Sequence, residues 1–253
     1  MIEGYKAFLA REGDLNRKFR AHVGRDWGAW REEHYYASAT AIPDTAERVW
    51  LERQKLNYRG IHERRSVRHL VASKVDQPFL EEIGSLGGLE RLELEWPMVA
   101  RSLSPILQLE NLRFLSIDSP RHIDDFSPLL ELPCLRTLIL TNAKKMPDLQ
   151  WLSDAHHLEV IGIEGGMWSP YRIPSLMPLA GLRQLQAFLG TSTKLADKQL
   201  LPLADCDRLQ YLGIACVAPR EEFERLQRAR PDLVCSWFRA ETWNAIAPRR
   251  TRP

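Results

Sequence analysis

The stretches LEEIGSLGGLERLEL (80–94), LSPILQLENLRFLSI (103–117) and FSPLLELPCLRTLIL (126–140) carry one spacing of apolar residues three times over. Leu80, Ile83, Leu86, Leu89, Leu92 and Leu94 are separated by four steps of three and one of two, and each later copy is displaced by 23 residues. A fixed period of this length marks a chain built from stacked, similar units. The closing step of two puts the last two leucines on one face of a short strand and the residue between them on the other. The steps of three before it suit a tight helical or 3₁₀ turn running back along the outside. No single unit can bury its own apolar face, so stacking must pair each strand with the next in a parallel sheet and merge the leucines into one core.

The comb continues on both sides of these three copies. Upstream it runs imperfectly through Tyr58, Ile61, Arg64, Val67, Leu70 and Ala72. Downstream it runs from Leu149 to Ile163, from Ile173 to Ala187 and from Leu200 to Ile214, with a frayed last copy ending at Phe238. Anchored on Val67, Leu89, Leu112, Leu135, Leu158, Leu182, Leu209 and Leu233, the periods are 22, 23, 23, 23, 24, 27 and 24. That makes an array of seven or eight units, the terminal ones degenerate.

The strand segments LERLELEW (89–96), LRFLSIDS (112–119), LRTLILTN (135–142) and LEVIGIEG (158–165) resemble those of leucine-rich-repeat proteins. The turns around SLSPILQLENLRFLSI (102–117) are similar to the internalin and SDS22-like type. The resemblance covers residues 58–238 and implies an α/β curved solenoid, with a parallel sheet on the concave face and short 3₁₀ or helical turns on the convex face. It also implies a protein partner bound on the concave sheet and its rim. One departure is visible: the asparagine usual just after the strand is replaced by Pro97, Pro120, Ala143, Gly166, Gly190 and Val217, with Asn142 one place off register.

Outside the comb, residues 1–57 read as a helical N-terminal cap or arm. Tyr5, Phe8, Leu9, Leu15, Phe19 and Val23 recur at mostly helical intervals. A run beginning near Thr45 and ending near Leu56 reads as a further helix, capped by Asp44 or Thr45. Residues 58–240 are the solenoid, and 241–253 a basic tail.

The formal net charge of the chain is +2, which makes no general case for nucleic acid or a membrane surface. Its distribution is uneven: residues 67–238 carry 18 Lys and Arg against 22 Asp and Glu, while both ends are mildly basic. No run approaches the roughly 18 apolar residues of a membrane span, and the first residues lack the basic and apolar regions of a secretory signal. The expected setting is cytoplasmic, with Cys134, Cys206, Cys216 and Cys235 as free thiols.

The residues that the comb forces outward are the expected partner-binding surface. They are Arg91, Glu93, Glu95, Phe114, Asp118, Ile139, Glu164, Gln184, Gln186, Phe188, Tyr211 and Trp237, joined by Trp96, Trp168 and Tyr171 on rim loops. Acids gather in the earlier repeats and aromatics in the later ones, a pattern that fits a partner with a basic patch beside an apolar knob. The competing arrangement has a terminal segment folded over this face. A different function is nucleic-acid or anion binding through Arg17, Lys18, Arg20, Arg25 and Arg31 with Trp27 and Trp30, helped by Arg249, Arg250 and Arg252.

Catalytic, cofactor and metal sites are not expected. His156-His157 has no third ligand at metal spacing, and Gly84, Gly87 and Gly88 do not form a phosphate loop. Asp124-Asp125 reads as a turn pair, and Cys235 as an outward thiol. The sequence thus points to a non-catalytic, monomeric module that recognises another protein, such as an inhibitor, immunity-type or adaptor protein.

Overall fold

The computed structural model describes residues 2–20 and 27–246, with side chains over 6–20 and 28–245. Eight short parallel strands stack in chain order into one sheet: β1 (Arg48–Glu52), β2 (His69–Ser73), β3 (Arg91–Glu95), β4 (Phe114–Asp118), β5 (Thr137–Thr141), β6 (Val160–Glu164), β8 (Ala187–Gly190) and β10 (Tyr211–Ile214). Between β6 and β10, the short strands β7 (Tyr171–Ile173) and β9 (Thr193–Leu195) form a parallel pair of their own. Helices α1 (Ile2–Phe19) and α2 (Trp27–His34) precede the sheet, α3 (Gln77–Gly84) follows β2, and α4 (Arg220–Ala229) and α5 (Ala240–Ile246) close the chain.

One backbone device repeats at every step of the stack. The carbonyl of Glu90 accepts from the amides of Arg113 and Phe114, at 2.8 and 3.1 Å. The carbonyls of Arg113, Arg136, Glu159 and Gln186 each accept in the same way from the pair of amides that opens the next strand. Pairing in this register places Leu92, Leu115, Leu138, Ile161, Phe188 and Leu212 in one row on one side of the sheet. All six are buried in the main core. The outer layer is built from 3₁₀ turns such as Ser104–Gln108, Ser127–Glu131 and Leu201–Asp205, each with proline among its first residues. Proline suits that place because an amide there has no partner within the turn. After β2 and after β10 a full helix, α3 or α4, takes that layer's place, Asp76 capping α3 through Phe79 N at 3.1 Å. The last residue of α3, Gly84, lies so close to the carbonyl of Pro105 that a Cβ would sit 2.4 Å from the oxygen. The whole is a leucine-rich-repeat solenoid with short convex turns.

The structure corrects the reading in several places. Residues 48–52 form β1, an additional repeat, where a helix was expected, because Val49 and Leu51 pair with Leu70 and Ala72 and are fully buried. The 27-residue spacing lies between Ile161 and Phe188, one unit earlier than the comb placed it, since Phe188 and not Leu185 pairs with Ile161. Residues 241–246, expected to belong to the basic tail, lie in α5. Cys235, expected outward, is fully buried in the core.

The C-terminal end is closed by aromatics: Trp237 and Trp243 lie 5.2 Å apart by ring centroid and both pack on Phe223. Their indole N–H groups donate to Ile214 O at 2.8 Å and Trp237 O at 2.7 Å. Trp237, expected on the concave face, is therefore an end plug.

Phe188→Ala is expected to cost about 3–5 kcal/mol of unfolding free energy by leaving a cavity between two repeats. Gln184→Ala, one turn away, is expected to change stability by less than about 1 kcal/mol; urea denaturation of both variants checks the contrast.

Candidate functional site

The face of the sheet turned away from the core is not an open platform. On its first strands, Glu93 is 4% exposed and its Oε1 lies 2.8 Å from both His69 Nε2 and Arg91 Nε. The Arg91 guanidinium in turn stacks on Phe114, 3.5 Å from the ring centroid. Glu95 accepts from Ser73 Oγ at 2.9 Å. Asp118 accepts from Ser119 Oγ at 2.8 Å, and burial raises its pKa above the usual carboxylate value, against the pull of that hydroxyl. Of the acids that suggested a basic partner, Glu93 thus finds its counter-charge within the chain, and Glu95 and Asp118 are held by hydroxyls.

On the later strands the cover is α1. Its residues Phe8, Leu15 and Phe19 share one face by helical spacing and pack with Ile139, Val160, Ala187, Leu189, Tyr211 and Val234 into a second, smaller core. Phe19 stacks on Tyr211 at 6.2 Å, and the Tyr211 hydroxyl donates to Asn16 Oδ1 at 3.1 Å. Arg20 closes the contact with three partners: Glu164 Oε1 at 3.0 Å, Thr191 Oγ1 at 2.7 Å and Gly213 O at 2.9 Å. Toward the other end of the helix, Glu12 pairs with Arg239 at 3.0 Å and Arg11 donates to Asp232 O at 2.9 Å. Two glycines make room on the sheet: a Cβ on Gly162 would sit 2.6 Å from Ile139 Cδ1, and one on Gly213 3.2 Å from the Arg20 guanidinium. Near the first strands, Trp30 of α2 lies 5.1 Å from His69 and 6.2 Å from Trp50.

Of the residues expected on this face, Arg91, Glu93, Glu95, Phe114, Asp118, Ile139, Glu164 and Tyr211 are there, with Ile139 and Tyr211 buried. Phe188 is not; it is 1% exposed on the core side, because β8 is three residues, one comb tooth, later than the comb placed it. Gln184 and Gln186 precede β8 instead of lying in it, Gln184 accepting from Arg208 at 2.6 Å and Gln186 donating to Glu159 at 3.0 Å. The arginines of the nucleic-acid reading are similarly engaged: Arg17 with Asp14, Arg20 as above, and Arg31 over the rings of Tyr35 and Trp50. Arg25, Arg249, Arg250 and Arg252 lie outside the described residues, as does the side chain of Trp27.

What remains accessible is the rim formed by the loops that leave β3, β4, β5 and β6. In place of the usual asparagine, Ser119 and Asn142 turn the chain with positive φ of 52° and 53°, and Asn142 Nδ2 donates to Ser119 Oγ at 2.8 Å. Serine and asparagine tolerate this left-handed geometry because their short polar side chains bond locally. On this frame Trp96 is 57% exposed, Met167 85% and Trp168 92%. Tyr171, the third expected rim aromatic, is instead an anchor: its hydroxyl donates to Met146 O at 2.9 Å, and burial pushes its pKa up to about 12, helped by the charge of Asp148. Two grooves of about 510 and 420 Å³ run along the rim and share Asn142 and Lys144 as common walls. The first includes Trp96, Arg121 and Lys145, and the second Pro170, Tyr171 and Arg172. The loop after β5 and the longer loop from β6 into β7 build the second groove; the lengthened spacing is visible in the sequence, but the meeting of these two loops is not.

The other polar candidates have structural places. Asp125 caps a turn, accepting from Ser127 N at 2.9 Å and Ser127 Oγ at 2.7 Å, which lowers its pKa. His157 is half-buried and burial lowers its pKa. Among the described residues no three His, Cys, Asp or Glu side chains gather as metal ligands would, and no helix is long and apolar enough to cross a membrane.

No family model matches the chain, and no curated protein matches it. Solved structures similar to it include an internalin (inlF) from Listeria monocytogenes, at 18% identity over 61% of this chain and 43% of that one, with a TM-score of 0.44. Internalin C2 from the same organism is similar at 18% identity over 76% of this chain and 77% of that one, with a TM-score of 0.43. The plant peptide hormone receptor RGFR1, solved in complex with RGF2, is similar at 15% identity over 68% of this chain and 30% of that one, with a TM-score of 0.43. The chain therefore spans less than half the length of the first and the third.

Two outcomes are expected. Arg20→Ala should release α1 and expose Tyr211, read as faster amide exchange in residues 8–19 while the sheet amides keep their protection. Cys235, whose thiol burial pushes up to about 12, should resist alkylation until the chain unfolds, whereas the exposed Cys216 should react with the folded protein; mass spectrometry after iodoacetamide treatment separates them.

Proposed function

We propose that this chain is a non-catalytic module that recognises another protein, and that it does so through the rim beyond β3 to β6 and not through the centre of the concave sheet. One observation carries the reading: the large apolar side chains Trp96, Met167 and Trp168 stand in solvent on two loops of the same rim, while Tyr211 of the sheet face and Phe19 of its cover α1 are packed together. The bases of the loops after β3 and β6 are three strands apart, on the order of 15 Å, so one partner surface can engage both tryptophans. Each is held on a loop whose turns are fixed by backbone and side-chain hydrogen bonds, which limits the entropy lost on binding. Aromatic side chains in such positions are the usual anchors of protein interfaces. An inhibitor, an immunity-type protein or an adaptor would each use the rim in this way, as a rigid surface that acts by occupying its partner. Residues of the concave face that α1 leaves uncovered, such as Ser116 and Thr141, extend the contact at its margin.

The test is site-specific photo-crosslinking in the source cells, with a benzophenone amino acid in place of Trp168 and, as control, in place of the exposed Glu131 on the convex side. The expected result is a discrete protein adduct from position 168 and none from 131. Adducts of equal yield at both positions, or none at 168, would overturn the reading. In a reconstituted complex, Trp168→Ala is expected to weaken binding by about 2–4 kcal/mol.

A further inference from the structure

The rim carries a charge that the rest of the molecule does not neutralise. Arg121, Lys144, Lys145 and Arg172 are exposed around the two grooves. None of the four has an ion-pair or side-chain hydrogen-bond partner among the described residues. Several other cations at strand ends or on the sheet face are spent inside the chain: Arg20 on Glu164, Arg53 on Asp76, Lys74 on Glu52 and Arg91 on Glu93. Asp118 accepts from Ser119 Oγ and Asp148 from the amide of Gln150; these neutral donors orient the two carboxylates without cancelling their charge, and the four cations outnumber them. Four cations left over beside exposed tryptophan form a surface whose complement is anionic and partly apolar.

From this we infer that the partner, on the rim reading given above, presents a short acidic stretch that includes a large apolar side chain. Its carboxylates lie over Lys144, Lys145 and Arg121, with Arg172 engaging the far end. Its apolar side chain packs against Trp96 or Trp168. The sign is opposite to the basic partner that the sheet acids suggest, because those acids are already engaged. A nucleic acid fits less well. Phosphate-driven binding needs a positive field that extends along the strand, whereas residues 67–238 carry 18 cations against 22 acids. A long polyanion leaving the grooves would meet a net negative surface; a short acidic peptide would not.

The experiment pans a displayed library of random peptides on the full-length protein and measures recovered peptides on three forms: the native chain, the double variant Lys144→Glu with Lys145→Glu, and the double variant Trp96→Ala with Trp168→Ala. A fluorescent single-stranded oligonucleotide is titrated in parallel. The expected result is enrichment of peptides with clustered Asp or Glu beside Phe, Trp or Leu. Their affinity should fall at least about tenfold on charge reversal, and also as salt rises from about 0.1 to about 1 M, which shortens the screening length from about 10 to about 3 Å. Neutral or basic peptides that lose binding on tryptophan removal but not on charge reversal would overturn the acidic class while leaving the rim as a recognition surface. Peptides indifferent to both double variants, or no recovered peptides, would overturn both readings. Oligonucleotide binding that is tighter than any peptide's and is lost on charge reversal would overturn the acidic-protein reading in favour of nucleic acid. Far-ultraviolet circular dichroism of each variant is expected to match the native chain, since all four positions are exposed.

Discussion

The carbonyl that closes each turn, from Glu90 through Arg113, Arg136 and Glu159 to Gln186, holds the next repeat by two amides, and the rest of the molecule follows from that contact. It sets which residue of the next strand comes first, and so which side chains point to the core and which to the open face. A slip of one residue would exchange those two sets. Between Glu159 and Gln186 the ladder spans its longest interval, and the extra residues are pushed out at the strand end, where they supply β7, which pairs with β9 of the next unit, and one wall of a groove. Architecture and candidate site are thus two results of one hydrogen-bonding rule.

The leucine comb made most of this legible because its apolar teeth are the residues that the ladder turns inward. It failed where the rule was obeyed by atypical side chains. At 173–187 five apolar residues at the right spacing fit the pattern one tooth early, and the sequence alone offered no reason to prefer Phe188 over Leu185 as the strand tooth. At 48–52 the strand was missed because Val49 and Leu51 sit in a charged context whose longer spacing also suits a helix. Pairing with Leu70 and Ala72, a contact between distant residues, decides it.

The open face was less legible than the core. Its outward residues could be named from the comb, but whether a charge there is available depends on partners 22 to 144 residues away, such as Ser73 for Glu95 and Arg20 for Glu164. No local pattern encodes those distances. The rim cations drew no attention in the sequence because they are scattered over three loops, and only the parallel stack brings Arg121, Lys144 and Arg172 to one edge. Of the sequence alternatives, the folding of a terminal segment over the sheet is the one that the hydrogen bonds of Arg20 and Asn16 describe.

The reach of α1 has a consequence for synthesis of the chain. The helix is made before every repeat of the stack, yet its partners Thr191, Tyr211, Gly213 and Arg239 are made after seven of the eight sheet strands or with the last of them. An isolated helix of 18 residues with a polar composition is marginal in water, so it has no reason to persist alone while the repeats are assembled. The open face must therefore form without its cover, repeat by repeat, and be covered only after β10 and the residues that follow it have been made. During that interval Phe8, Leu15 and Phe19 are apolar side chains awaiting a site that does not yet exist, which makes the nascent chain, more than the finished protein, the form most in need of a chaperone.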